Sequence, residues 1–227
     1  AQPWAYWRLD ELAAPRALDA TTRQRDAFYE PGVVFFLAGP RSERFCLGDE
    51  TNRAAHFVGG RVRVRAESLR GSYSVSLWCW NGMPIEGRET AGWMFSRGRD
   101  HSLDRLGDHL GLGGTSTQPG RLVFLHRQIG HDEQLAVGSR SLERWKWHHV
   151  GLVRDGRRVS VYLDGRVPAE IEVVSEGEFP SQLDQIFLGG RCDNRSNWEG
   201  RLDEIAIFDR ALTADEIAKL ADMRPVD

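Results

Sequence analysis

Residues 191–198 concentrate hydrogen-bonding side chains around one tryptophan, in the order Arg-Cys-Asp-Asn-Arg-Ser-Asn-Trp. Charged and amide groups can form several short hydrogen bonds, and an indole ring offers a flat apolar face. A sugar needs both, because its hydroxyl groups require partners while its ring carbons pack on an apolar surface. An Asx-rich turn has a similar composition and is the alternative. The ligand-binding residues predicted in this segment are Arg191, Asp193, Asn194, Asn197 and Trp198.

Asp203 is the acidic residue whose position is most informative. A regular strand places residues i, i+2 and i+4 on one face, so Asp203 would share a side with Ile205 and Ile207. These isoleucines are expected core residues, and a carboxylate beside them is costly unless it is paired, hydrogen-bonded or bound to a metal. The adjacent Glu204 would face the opposite side, so the two acids do not form a catalytic pair.

Other catalytic and metal-binding patterns are not found. The sequence has no GxSxG elbow, no P-loop and no GxGxxG opening a helix. The acids and histidines between residues 100 and 109 match neither an EF-hand nor HExxH, and we expect a solvated loop there. Cys46 and Cys192 lie in loop-like sequence and could form one disulfide, whereas Cys79 lies in an apolar strand pattern that predicts a buried thiol.

Composition narrows the class of protein. The chain has 227 residues, of which 41% are hydrophobic and 28% charged, as in ordinary soluble proteins. Its net charge of -3 argues against nucleic-acid binding, which favours a clearly basic surface. No apolar run reaches the ~20 residues that cross a bilayer, so we expect no membrane insertion.

Alternating apolar and polar residues predict many short strands, including residues 73–80, 147–154 and 159–163. The Asp155-Gly156 step between the last two predicts a hairpin turn. Strands in series without intervening helices indicate a two-sheet antiparallel sandwich, and we expect one domain over residues 1–227.

One short helix is predicted near the C-terminus. Thr213 and Glu216 form a capping-box pattern, and Ile217 and Leu220 supply an apolar stripe. We expect this helix to pack on the outside of the sandwich.

Four segments of the sequence resemble the laminin-G-like, concanavalin A-like jelly rolls of the bacterial type, in the order of that family. The segments are AYWRLDE at 5–11, AAHFVGG at 54–60 with YSVSLW at 73–78, WHHVGLVRDG at 147–156 with VYLDG at 161–165, and GRLDEIAIFDRALT at 200–213. The resemblance implies an all-β, antiparallel two-sheet jelly-roll sandwich with a short C-terminal helix. It leaves function open, because this fold hosts lectins, enzymes and adhesion modules.

The resemblance also implies a structural calcium ion between the first and last strands. Asp203 would meet Asp10 or Glu11 there, together with backbone carbonyls, and calcium takes 6–8 oxygen ligands. The alternative is that Asp203 accepts hydrogen bonds from loop amides or an arginine.

Lectins and glucanases of this fold stack sugars on aromatic residues of one sheet, which makes Trp80 a further predicted ligand residue. Packing of Trp80 under a loop is the alternative. The retaining glucanases of the fold carry the pattern E-x-D-x-x-E, because their chemistry needs two carboxyl groups ~5–5.5 Å apart. This chain has no such triplet.

These observations predict a non-catalytic, carbohydrate-binding module of an extracellular, periplasmic or cell-envelope protein, either alone or as one part of a longer chain. Its partner would be a carbohydrate or a protein surface. A protein-interaction or spacer domain is the first alternative, and it would expose an apolar patch. A glycoside hydrolase with an unusual site is the second.

Overall fold

The computed structural model describes residues 2–42, 44–46, 50–177, 179–180 and 182–222. Its strands are β1 Ala5–Trp7, β2 Arg16–Ala17, β3 Ala27–Tyr29, β4 Val33–Ala38, β5 Arg53–Val58, β6 Val62–Arg65, β7 Tyr73–Asn81, β8 Thr90–Gly98, β9 Gly107–Gly113, β10 Arg121–Arg127, β11 Gln134–Ser141, β12 Trp147–Asp155, β13 Arg158–Leu163, β14 Ile171–Val174, β15 Gln185–Leu188 and β16 Glu199–Phe208. One helix, α1, spans Ala214–Ala221.

The strands form two antiparallel sheets. The first sheet has the order β14-β13-β12-β7-β16-β5-β4, with β1 beside β16, and the second has the order β11-β10-β9-β8-β15-β6-β3-β2. The predicted jelly-roll sandwich is therefore confirmed. Within the described residues, no helix is long and apolar enough to cross a membrane.

Alternation along β7 places one face of the first sheet in the core. Tyr73, Val75, Leu77 and Cys79 are buried among the apolar residues of the second sheet. The predicted hairpin is confirmed, because Asp155 pairs with Arg158 across a turn that contains Gly156 at φ 57°. The face of each sheet directed away from the core is called its outer face below.

The side of the sheet that Asp203 occupies differs from the prediction. The β16–β7 register is regular at Asp203, which pairs with Trp78, and it shifts between Asp203 and Ala206. Glu204 is the extra residue of this bulge and has φ 50°. A bulge reverses the alternation, so Asp203 faces outward with Trp78, whereas Ile205 faces the core.

Helix α1 covers part of the outer face of the first sheet. Thr213 and Glu216 form the predicted capping box. Ile217 is fully buried in a small apolar cluster with Val153 and Phe208. It lies over Gly151 of β12, where a Cβ atom would stand 2.8 Å from Ile217 Cγ2.

The acid and histidine cluster predicted as a solvated loop is partly a strand. Asp108 and His109 belong to β9 and are fully buried. Asp108 accepts two hydrogen bonds from Arg154, at 2.6 and 2.9 Å, and one from the Tyr73 hydroxyl at 2.6 Å. Buried charge is therefore paired inside the sandwich.

The cysteines form no disulfide, so the possible Cys46–Cys192 bridge is not present. Cys192 is buried beside Gly98, whereas the Cys46 thiol donates to the Ser42 carbonyl oxygen at 3.1 Å. The predicted buried thiol of Cys79 is confirmed.

Candidate functional site

Two tryptophans, an arginine and a histidine form a line across the outer face of the first sheet. Trp147 of β12 pairs with Trp80 of β7, Trp80 pairs with Arg201 of β16, and Arg201 pairs with His56 of β5. Directly paired residues point to the same face. We call these four residues the tryptophan row. Since neighbouring strands are ~4.8 Å apart, the row spans about 14 Å.

Contacts within the row hold its rings and charges together. The guanidinium carbon of Arg201 lies 4.7 Å from the Trp80 ring centroid, within cation–π range. The His56 and Trp80 ring centroids are 6.3 Å apart at an interplanar angle of 60°. All four side chains are half-buried, so each keeps part of its surface toward solvent.

Two polar atoms of the row have no partner among the described residues. These atoms are His56 Nδ1 and Arg201 Nε. Burial, and secondarily the nearby Arg201 charge, lowers the pKa of His56, which favours the neutral imidazole with one acceptor nitrogen. Unsatisfied polar atoms of this kind are normally partnered by water or a ligand. The row therefore combines partly exposed aromatic surface with two buried polar atoms that lack a partner in the described part of the chain.

A third tryptophan lies near the end of β7, which also carries Trp80 of the row. Trp145 is 62% exposed, and its backbone amide donates to the Asn81 carbonyl oxygen at 3.1 Å. The Arg144 guanidinium carbon lies 4.3 Å from its ring centroid, and Arg144 Nε also donates to the Gly82 carbonyl oxygen at 3.0 Å. Arg144 therefore fixes the Trp145 ring next to the end of β7.

The six predicted ligand residues do not form one site. Trp80 lies in the row, whereas Arg191 stacks on Trp93 on the outer face of the second sheet, 4.9 Å from the ring centroid. Arg191 donates to both Asp193 oxygens, at 2.8 and 2.7 Å. Burial acts to raise the Asp193 pKa, but these bonds bring it below its usual value. The pair has used much of its bonding capacity internally.

Trp198 cannot stack on a ligand, and this corrects the prediction for that residue. It is fully buried in the core between the sheets. Asn197 is also buried, and its amide donates to the Gly59 carbonyl oxygen and to Asn194 Oδ1, both at 2.7 Å. These residues hold the loop in place, and Asn194 keeps exposed surface.

The predicted calcium ligands Asp10 and Glu11 each have a partner within the protein. Glu11 accepts hydrogen bonds from the Tyr29 hydroxyl at 2.7 Å and the Leu18 amide at 2.6 Å. Asp10 pairs with Arg8 at 3.6 Å. In the described ranges, no three His, Cys, Asp or Glu side chains are grouped to hold a metal ion.

Asp203 is the predicted calcium ligand that keeps an available oxygen. Its Oδ2 accepts a hydrogen bond from the Asn52 amide at 2.7 Å, and its buried Oδ1 has no partner among the described residues. Burial raises the pKa of Asp203 well above its usual value. One free carboxylate oxygen fits a cation, but calcium would need several further oxygens.

The sequence pointed to Trp80 but missed its partners in the row. Trp147 begins the predicted strand 147–154, whereas Arg201 and His56 lie within the segments 200–213 and 54–60 that carry the family resemblance. Pairing the strands in register would have placed the four residues side by side. That register depends on which strands are neighbours, and alternation within one strand does not contain this information.

The comparisons with known proteins agree with the fold. One similar structure is domain 4 of AbnA, an extracellular arabinanase of glycoside hydrolase family 43 from Geobacillus stearothermophilus, solved in complex with arabinotriose. It superposes with a TM-score of 0.68 at 17% identity, covering 98% of this chain and 99% of that one. The binding domain of botulinum neurotoxin serotype D superposes with a TM-score of 0.63 at 12% identity, covering 96% of this chain and 51% of that one. Trypanosoma rangeli sialidase, solved in complex with the inhibitor DANA, superposes with a TM-score of 0.65 at 16% identity, covering 97% of this chain and 33% of that one.

The chain thus corresponds to the whole AbnA domain, to about half of the toxin domain and to a third of the sialidase. No curated protein sequence matches it. The profile of the concanavalin A-like lectin/glucanase superfamily, laminin G type, matches residues 58–218. The chain is a member of the concanavalin A-like lectin/glucanase superfamily.

Proposed function

We propose that this protein is a non-catalytic, carbohydrate-binding module and that the tryptophan row is its binding surface. The observation that carries this proposal is the direct pairing of Trp147, Trp80, Arg201 and His56 on one outer face. Sugar rings would pack on the indoles, while Arg201 and His56 would bind hydroxyl groups.

The row also favours binding over catalysis. Glycoside hydrolysis generally uses two carboxyl groups that flank the scissile bond. The row itself contains none. The nearest acids along β16 are Glu199 and Asp203, each two residues from Arg201; Glu199 is paired with Arg88 at 3.0 Å, and Asp203 accepts a hydrogen bond from Asn52 at 2.7 Å. The similarity to a domain solved with arabinotriose supports an oligosaccharide as the ligand.

The same neighbour supports a location outside the cytoplasm, because AbnA is an extracellular enzyme. We propose that this domain, too, is exported and acts as a module of an extracellular, periplasmic or cell-envelope protein. Its role would be to keep a longer chain close to a polysaccharide.

A glycan array followed by titration calorimetry tests the proposed binding surface. We expect the wild-type protein to bind at least one neutral glycan, with arabinotriose and longer arabino-oligosaccharides as the first probes. Trp80→Ala and Trp147→Ala should each weaken binding about tenfold or more, since a loss of about 1.4 kcal/mol of stacking changes Kd tenfold.

Val167→Ala is the matched control, because Val167 is exposed and lies outside the row. It should bind like the wild type. Absence of binding to every neutral glycan, or binding that is unchanged in both tryptophan variants, would contradict the proposal.

A further inference from the structure

A second aromatic surface lies on the outer face of the second sheet, on the other side of the sandwich. Phe28 of β3 pairs with Arg16 of β2 on one side and with Arg63 of β6 on the other. Phe28 is 47% exposed, so a partly exposed aromatic residue lies between two arginines on the face of the sheet. Two residues further along β6, Arg65 pairs with Gln185 of β15. We call this surface the arginine groove.

The groove encloses about 770 Å³ and carries a local excess of positive charge. Its lining includes four arginines, Arg16, Arg25, Arg63 and Arg65, and two acids, Asp26 and Glu67. Their formal charges add to +2, in a chain whose net charge is -3. The groove is therefore a positive site on a slightly acidic protein.

The acids near Arg63 are already held by another residue. Arg61 is buried and binds Glu30 at 2.7 Å and Asp100 at 3.0 Å. Arg63 reaches the same acids only at 4.0 and 3.7 Å. Because Arg61 takes the short contacts, the guanidinium group of Arg63 keeps donors for a ligand.

The other exposed arginines have weak internal partners. Arg16 lies 3.4 Å from Asp26, and Arg65 lies 3.2 Å from Glu67. Exposed pairs of this kind contribute little because water screens them. A ligand carboxylate can replace such a partner, and the planar guanidinium fork matches a carboxylate in a two-point contact.

We propose that the arginine groove binds an acidic oligosaccharide built of hexuronic acid residues. The sugar ring would pack on Phe28, and its carboxylate would bind Arg63 or Arg16 on either side. The acids within the groove disfavour a densely charged polymer such as a nucleic acid. This site is separate from the tryptophan row, because the two surfaces lie on opposite sheets.

Titration calorimetry with oligogalacturonate of four to six residues tests the proposal. We expect the wild-type protein to bind it, and binding to weaken as salt is added. Arg63→Gln and Phe28→Ala should each reduce affinity tenfold or more. Arg158→Gln removes one exposed arginine outside the groove and should stay within twofold of the wild type. Circular dichroism melts verify that each variant is folded.

Trp80→Ala separates this proposal from the previous one, since it should leave oligogalacturonate affinity unchanged while it weakens binding of a neutral glycan. Failure of the wild type to bind oligogalacturonate would overturn the proposal. So would equal binding of dextran sulfate together with an unchanged affinity of Phe28→Ala, because a basic patch that ignores the sugar ring behaves in that way.

Discussion

Asp203 is a buried carboxyl group with one oxygen bonded to Asn52 and the other without a partner among the described residues. Two states of the group are compatible with these contacts. In the first, a cation binds the free oxygen. In the second, no cation binds and burial favours the protonated carboxyl group, in keeping with the direction in which the pKa of Asp203 is raised.

The calcium prediction is tested by thermal melts of the wild type and Asp203→Asn in EDTA and in 10 mM CaCl2. If calcium binds with a Kd near 10⁻⁴ M, as in many extracellular modules, it stabilises the folded protein by about 2.7 kcal/mol and raises Tm by several degrees. We expect this rise in the wild type and none in Asp203→Asn. Equal wild-type melting temperatures in EDTA and calcium would contradict the prediction and favour the protonated state.

At the scale of single residues, the sequence identified informative residues but predicted their environment in the fold less well. Trp80 and Asp203 were both singled out, and both lie on the outer face of the first sheet. The bulge at Glu204 reversed the expected direction of Asp203, and a single-residue insertion leaves no mark in the alternation. Trp198 was misjudged because loop-like composition does not show that its ring enters the core.

At the scale of elements, contact between α1 and the first sheet depends on Gly151. A Cβ atom at this position would stand 2.8 and 3.1 Å from two Ile217 carbons, closer than packed atoms approach. The absence of a side chain on β12 therefore lets the helix lie directly on the strand.

We expect Gly151→Ala to destabilise the protein by about 1–3 kcal/mol, the usual cost of overpacking. Ile217→Ala should cost about 2–5 kcal/mol, as do other truncations of buried isoleucines. Urea denaturation of both variants and the double variant measures their coupling.

The double variant should lose less stability than the sum of the single losses, because the added methyl group then occupies space that Ile217 has left. Gly138→Ala on β11 is the control, since a Cβ atom there would meet its nearest neighbours at 3.5 Å, an ordinary contact distance. Additive losses would show that the helix does not depend on close approach at Gly151.

The predicted elements were most accurate where the pattern was long. The hairpin of β12 and β13 and the helix were confirmed. The very short strands β2 and β3, of two and three residues, are not among the strands that alternation predicted. Two or three residues are too few to show an alternating pattern, and only the pairing of β2 with β3 and of β3 with β6 reveals them as strands.

At the scale of the whole molecule, the buried histidines couple folding to pH. His149 is fully buried, and its Nε2 lies 2.8 Å from the Ser76 hydroxyl. Burial lowers its pKa from 6.5 to about 3, with Arg44 adding to the effect and Asp164 opposing it. Burial likewise lowers the pKa of His109 to about 4.

A histidine whose pKa is lower in the folded protein stabilises it above pH 6.5, and this stability is lost as pH falls toward the folded value. From the pKa values of 6.5 and about 3, His149 alone should cost roughly 2 kcal/mol between pH 7 and pH 5. Guanidinium denaturation at both pH values measures this loss.

His149→Gln cannot take up the proton, so its free energy of unfolding should fall less than that of the wild type over the same interval. His131→Gln is the comparison, because that histidine is partly exposed near Glu176 and should lose as much stability as the wild type. Parallel curves for the wild type and His149→Gln would contradict the assignment.

The tryptophan row and the arginine groove lie on opposite broad faces of the sandwich, turned away from each other. If both surfaces bind polysaccharide, a single protein molecule can join two polysaccharide chains without forming a dimer. Mixtures would then turn turbid at intermediate ratios of protein to polymer and clear when either component is in excess. A variant that has lost one of the two binding surfaces would still bind one polysaccharide chain but would no longer cross-link two.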